Sequence, residues 1–354
     1  MHLSTDAGPA GEVSVVDYHT AGEPFRIVTA GQPEIPGATV LDRREFAWTS
    51  PEVEAVRKLL VQEPRGHADM YGGFVVPPDN DGADFGVLFW HKDGYSTACG
   101  HGTIALGAWA VNTGRVVAAP DGDTEVVIDV PSGRVTARVR MAGGRVQRVT
   151  FSNVASYLVA RRIEVPTSRG PVLADLSYGG ALYASVEAAS VGLAVTPAHY
   201  PELIAIGREV KWALNDTDWA RHLGDPRLDG VYGTILFDDL GQHELSEYAG
   251  GPHQRNVTVF ADGEVDRSPC GSGTSARLAI LAADGRMESG QVLRHDSIIG
   301  TTFLGRVVAG VEVEHGAERR PAVITEIEGV AYRTGTATFG IDADDPLGTG
   351  FLLR

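Results

Sequence analysis

The only two cysteines of the chain, Cys99 and Cys270, sit inside two copies of the same local text. Residues 99–115 read CGHGTIALGAWAVNTGR and residues 270–286 read CGSGTSARLAILAADGR; aligned without gaps, eight of 17 positions are identical. The offset is 171 residues in a chain of 354, and Gly133-Arg134-Val135 returns as Gly305-Arg306-Val307 at an offset of 172. Duplication of one unit explains why both cysteines land on equivalent positions. The length fits two domains of ordinary size. The expected division is 12–172 around Cys99 and 173–337 around Cys270, with 338–354 packing back on the first.

Each copy opens on glycines, continues as an apolar segment of about ten residues, and stops at Gly114 or Gly285, where a left-handed cap is needed. Each cysteine is thereby placed at a helix N-terminus. Elsewhere, Val/Ile-rich runs between turn residues predict strands: 13–19, 85–91, 124–130, 134–141, 145–151, 256–260, 306–314 and 321–329. Ser50-Pro51 reads as a helix start burying Val53, Val56, Leu59 and Leu60, and 201–214 as a helix burying Leu203, Ile206, Val210 and Leu214. Strands and helices alternate along the chain, so the class is α/β or α+β. Residues 1–11 read as a frayed tail, with no signal peptide.

A thiol over free backbone N–H groups is biased toward thiolate, and the same groups attract a carboxylate. Two such helix starts facing one cleft would put a thiol on each side of a bound acid. One thiol could take a proton from Cα and the other return it to the opposite face, so that inversion needs no cofactor. Two inert buried thiols are the bland alternative. A more distant one is nucleotide binding, since Gly100–Ala105 and Gly271–Ala276 match a loose GxGxxG/A pattern; Pro269, where a buried strand should end, argues against it. No zinc, zincin or EF-hand spacing is present, so no metal is implied.

The charge of −16 disfavours nucleic acid and anionic membrane surfaces as partners. No apolar run is long enough to span a membrane. Two cysteines in so long a chain fit a reducing cytoplasm rather than a disulfide framework. A small molecule is the expected partner.

At these motifs the chain resembles the proline racemase family, which includes proline racemase, hydroxyproline 2-epimerase and trans-3-hydroxy-L-proline dehydratase. The resemblance runs from DYHTAGEP (17–24) through EPRGHADMYGG (63–73), ACGHGT (98–103) and DRSPCGSGTSAR (266–277) to the C-terminal GTATFGIDADDPLGTGFLLR (335–354). It implies the diaminopimelate-epimerase-like fold, two pseudo-symmetric domains around a cleft, no cofactor and a homodimer. It also implies roles: Cys99 and Cys270 as the acid/base pair, Gly100, His101, Gly271 and Ser272 around the substrate carboxylate, Asp266 at the ring nitrogen, and His243 as a further contact. His19 and Glu23 stand in a turn-like context that suits structure as well as chemistry, and Tyr71 and Phe74 read as core or cleft wall. The 63–73 and 176–186 segments and Ser272 resemble the dehydratase branch, which usually carries Thr at position 270. A thiol there restores the second proton donor, so inversion at Cα of proline or a hydroxyproline is the favoured expectation. Dehydration of trans-3-hydroxy-L-proline is the runner-up.

Overall fold

The computed structural model describes residues 11–353 apart from 246, 247, 249, 289, 316 and 317; the expected frayed tail therefore lies, but for Gly11, outside the described residues. The chain runs through one succession of elements twice. β1 (Val13–Thr20) and β2 (Glu23–Ala30) form a hairpin; α1 (Val40–Thr49) and α2 (Pro51–Val61) then lead to β3 (Gly72–Val76), parallel to β2 and antiparallel to β4 (Phe85–His91). The short β5 (Gly94–Tyr95) folds onto β4 and delivers the chain to α3 (Gly100–Asn112). β6 (Gly122–Val130) returns parallel to β4 and continues into antiparallel β7 (Gly133–Ala142) and β8 (Arg145–Ser152).

After β9 (Tyr157–Val165), the same pairings recur. β10 (Val172–Tyr178) and β11 (Leu182–Glu187) form a hairpin, α4 (Tyr200–Asn215) follows, and β12 (Val231–His243) lies parallel to β11 and antiparallel to β13 (Gly251–Phe260). β14 (Glu264–Asp266) folds onto β13 ahead of α5 (Gly271–Ala283); β15 (Leu293–Ser297) returns parallel to β13, and β16 (Thr302–His315) and β17 (Glu318–Gly329) complete the meander. The duplication seen around the cysteines thus extends to the whole topology.

The last strand of each run lies in the other half. β9 pairs with β10, and β18 (Ala331–Phe339) pairs with β1. β8 pairs with β17, so all 18 strands belong to one continuous sheet. Strand pairing therefore changes over just after β8 and just after β17, earlier than the expected 172/173 and 337/338. The physical reason is that β9 and β10 form a hairpin through Gly170, whose φ of 102° suits a turn, and a cut at 172/173 would sever it.

The two cysteine helices are buried on every side, from Gly100 to Ala110 and from Gly271 to Leu281. A helix apolar all round needs a wrapping of other elements. Strands β1, β2, β6, β7, β8 and β18 wrap α3, while β9, β10, β11, β16 and β17 wrap α5. Gly114 and Gly285 end the helices at φ 70° and 65°, as expected. The Ser50 side chain accepts from the Val53 amide with Pro51 in the first turn, and the four expected apolar residues are buried; α4 likewise buries its expected stripe. α1 went unread because it buries little, only Val40, Arg43 and Ala47, although Thr39 and Asp42 form a capping box. Among the described residues no helix is long and apolar enough to cross a membrane.

Candidate active site

Both cysteines are free and lie at the N-termini of α3 and α5, Cys99 with 5% and Cys270 with 6% of its surface exposed. The helix starts meet head to head. A Cβ on Gly100 would lie 2.5 Å from the Gly271 Cα, and one on Gly271 would lie 2.7 Å from the Gly100 Cα. These glycines allow the two backbones to touch. The next glycine of each motif makes room for the thiol, since a Cβ on Gly102 would lie 2.7 Å from Cys99 Sγ and one on Gly273 2.9 Å from Cys270 Sγ. The paired GxG pattern is thereby explained by the thiols and by the helix contact, with no phosphate cradle. The Gly102 N–H donates to Cys99 Sγ at 3.2 Å. The two positions differ in backbone: Cys99 is extended, whereas Cys270 takes φ 63°, a region L-residues rarely occupy.

Around the thiols the polar groups are buried. The His101 ring lies 3.5–3.6 Å from Cys99 Sγ, and its Nδ1 is 3.8 Å from Asp266 Oδ2. On the other side Ser272 Oγ is 2.7 Å from the Tyr183 hydroxyl, which stands 3.9 Å from Cys270 Sγ. Asp266 Oδ1 accepts from the Ser268 amide at 2.8 Å, and Ser268 Oγ accepts from the Cys270 amide at 3.1 Å, so a short relay ties Asp266 to the thiol-bearing residue. The turn is braced from behind by Asn256, whose side-chain amide donates to the Pro269 carbonyl at 3.0 Å.

Burial dominates the electrostatics. It pushes the Asp266 carboxyl up to about 6, and it holds His101 down to about 3, helped by the Arg267 charge, so His101 is neutral. It also pushes both thiols up, Cys99 well above the usual range against the opposing pull of the Gly102 N–H, and Cys270 similarly. The helix-end effect expected from the sequence is present in sign, but enclosure by the two halves outweighs it.

The structure brings Cys99, Cys270, Gly100, His101, Asp266, Gly271 and Ser272 into one buried cluster. It does not bring His243 there. His243 ends β12, eleven residues beyond Tyr232, and its Nε2 donates to the Val292 carbonyl at 2.7 Å. Val292 stands just before β15, and His243 enters none of the contacts described around the thiols. The sequence also missed Tyr183, Tyr232, Phe260 and Ser96. Tyr71 proves to be wall: its hydroxyl bonds Ser96 and lies 3.1 Å from the Tyr232 hydroxyl, and its ring stands 5.0 Å from His101 and 5.7 Å from Phe260. Phe74 is core. Ser96 and Tyr232 also line an adjoining cavity of about 440 Å³, bounded by Arg44 and Trp48 from one half and Lys211 and Trp212 from the other. On its wall His91 and Asp93, with Glu264, bring ligand atoms within 4.8 Å of one another, but Arg57, Lys211, Lys92 and Arg44 surround His91 with positive charge that opposes a cation.

Two duplicated α/β halves, with a thiol at each of two abutting helix starts, define the diaminopimelate-epimerase-like class. The family model described as proline racemase matches residues 15–352, and the chain belongs to the proline racemase family. It is 44% identical to the trans-3-hydroxy-L-proline dehydratase of Burkholderia cenocepacia, covering 97% of this chain and 98% of the relative. It is 43% identical, over the same shares, to the 3-hydroxyproline 2-epimerase of Burkholderia multivorans. Among solved structures, a hydroxyproline epimerase from Agrobacterium vitis with bound trans-4-hydroxy-L-proline superposes with a TM-score of 0.85 at 30% identity, covering 97% of this chain and 96% of the other. The protein is therefore an enzyme of this family, an isomerase or a hydro-lyase.

Proposed function

We propose that the protein inverts Cα of proline or a hydroxyproline by two-base proton transfer between Cys99 and Cys270. The observation that carries this reading is the head-to-head contact of two helices, each with a buried free thiol at its start. One thiolate removes the α-proton, and the opposite thiol protonates the planar carbanion from the other face. Burial leaves both thiols protonated at rest, so the thiolate that acts is a minor form whose formation costs energy and which is, once formed, a strong base toward the weakly acidic C–H. The amides at 100–101 and 271–272 hold the carboxylate, where charge grows as the proton leaves. The Asp266 carboxylate takes the ring ammonium, and neutral His101 supports the Cys99 side. The reading includes a homodimer in a reducing cytoplasm, as the resemblance and the free thiols imply.

A second reading is favoured by the names of the relatives: the same carbanion, formed on a 3-hydroxyproline, expels the β-hydroxyl as water. One assay tests both. The enzyme is incubated with L-proline, trans-4-hydroxy-L-proline and trans-3-hydroxy-L-proline in D2O and followed by NMR. Deuterium at Cα with inversion is the expected outcome; a cyclic imine from the 3-hydroxy substrate alone would mark dehydration. Neither α-exchange nor imine formation with any of the three would overturn both readings.

The Asp266 carboxyl also sets a pH limb. It must be ionised to hold the ammonium, and burial places its ionisation at about 6. kcat/KM is expected to fall as pH drops through about 6 and to be flat just above it. Asp266→Asn should remove this limb and lower kcat/KM at neutral pH roughly tenfold to a hundredfold, the equivalent of losing one hydrogen bond to a charged group. An unchanged limb in that variant, read from the pH–rate profile, would assign it elsewhere.

A further inference from the structure

The β1–β2 hairpin touches the first cysteine helix and the turn that leads into the second. Its turn residues Ala21 and Gly22 both take positive φ, 52° and 98°, which sets Thr20 opposite Glu23 across a tight two-residue loop. From this turn Thr20 Oγ1 donates to the His101 carbonyl in the first turn of α3 at 2.9 Å. On the other side Glu23 Oε2 accepts from the Arg267 backbone N–H at 2.8 Å and pairs with Arg267 Nε at 3.0 Å. Thr301 Oγ1 donates to the Ala21 carbonyl at 2.8 Å, a third link from the second half.

Arg267 stands between Asp266 and Ser268, inside the relay that reaches the Cys270 amide. Its guanidinium also donates to the Val265 carbonyl at 2.8 Å and to the Asp69 carbonyl at 3.2 Å, so the first half grips this turn at two places. Glu23 itself has no exposed surface, and its Oε1 has no hydrogen-bond partner. Burial holds its carboxyl well above the usual range, with Arg267 pulling the other way. A carboxyl in so unfavourable a place, when core stability alone would favour an apolar side chain, points to a job at the turn it grips.

We propose that Glu23 is a positioning residue for the second thiol: through Arg267 it fixes the Asp266–Cys270 turn against the first half, so that Cys270 faces the carbon served by Cys99. The proposal rests on the two-base reading. Its geometry is asymmetric, because Glu23 grips the Cys270 side while Thr20 serves the Cys99 side. Loss of Glu23 therefore disturbs one proton donor and spares the other.

The test compares the wild type with Glu23→Ala, Glu23→Asp and Glu23→Gln in D2O, using both enantiomers of whichever substrate the wild type inverts. Deuterium incorporation without inversion is measured separately from inversion. Ala, and Asp with its shorter reach, are expected to lose inversion about a hundredfold, the scale set by misplacing a catalytic group by about 1 Å. Exchange without inversion should survive within a few-fold for one enantiomer only. Gln, which keeps an acceptor for the Arg267 N–H, should restore inversion to within about tenfold. Equal loss of exchange for both enantiomers, or normal inversion in Ala and Asp, would overturn the proposal. Should the Ala variant not fold, the Asp and Gln pair carries the comparison. A wild type that exchanges no α-proton sinks the two-base reading itself, which keeps the two failures apart.

Discussion

Replacing Cys270 with serine should lower the rate of inversion about a thousandfold, in the range attributed to a single general acid–base group. Serine keeps the size of the side chain and can cap a helix, so folding should be little affected. What changes is proton chemistry: a hydroxyl neither ionises near neutral pH nor donates a proton to carbon with the ease of a thiol. Exchange of the α-proton by Cys99 should continue on the enantiomer whose C–H faces it, and if the enzyme also eliminates water from a 3-hydroxy substrate, that reaction should be retained to within about tenfold. Cys99→Ser should instead remove both exchange on that enantiomer and elimination. The pair of variants thus separates the two carbon faces, and the ratio of inversion to exchange by NMR is the measurement. Inversion at the wild-type rate in Cys270→Ser would remove Cys270 from the mechanism.

Legibility of the site followed the range of the interactions that build it. The helix starts, their glycine stops and the position of each thiol depend on residues within about 15 positions of one another, and all are present in the repeated text. The strand runs, the Ser50 cap of α2 and the apolar stripe of α4 are local in the same sense. The exchange of β9 and β18 between the halves is not, because an alternating strand carries no record of which sheet edge it joins. Tyr232, Tyr183 and Ser96 were missed because their contacts are long-range: Tyr232 meets Tyr71 only after the halves come together, and Tyr183 meets Ser272 across 89 positions of the second half. Thiol basicity shows the two ranges in conflict. The helix N–H that lowers it is local and was anticipated; the burial that raises it belongs to closure.

Gly100→Ala should be nearly as damaging as loss of a thiol, for a different reason. The added methyl would stand 2.5 Å from the Gly271 Cα, 2.7 Å from its carbonyl carbon and 2.7 Å from the Ser272 nitrogen. All three are backbone atoms, so no rotamer change can relieve the clash, and the helix starts must separate. Overpacking of this kind typically costs about 1–3 kcal/mol of stability. Separation by even about 1 Å is expected to lower inversion roughly a hundredfold, because both bases must reach one carbon. The same movement exposes the buried thiols, so both should react faster with iodoacetamide than in the wild type. Gly271→Ala should behave alike, because its Cβ would lie 2.7 Å from the Gly100 Cα and 3.0 Å from the Gly100 carbonyl carbon. Gly102→Ala provides the contrast: its methyl would meet Cys99 Sγ at 2.7 Å and the Phe25 ring at 2.5 Å, side chains on the α3 side alone. It should displace the first thiol while leaving the alkylation of Cys270 unchanged. If all three variants instead accelerated both alkylations equally, the glycines would serve chain flexibility rather than the contact between helices.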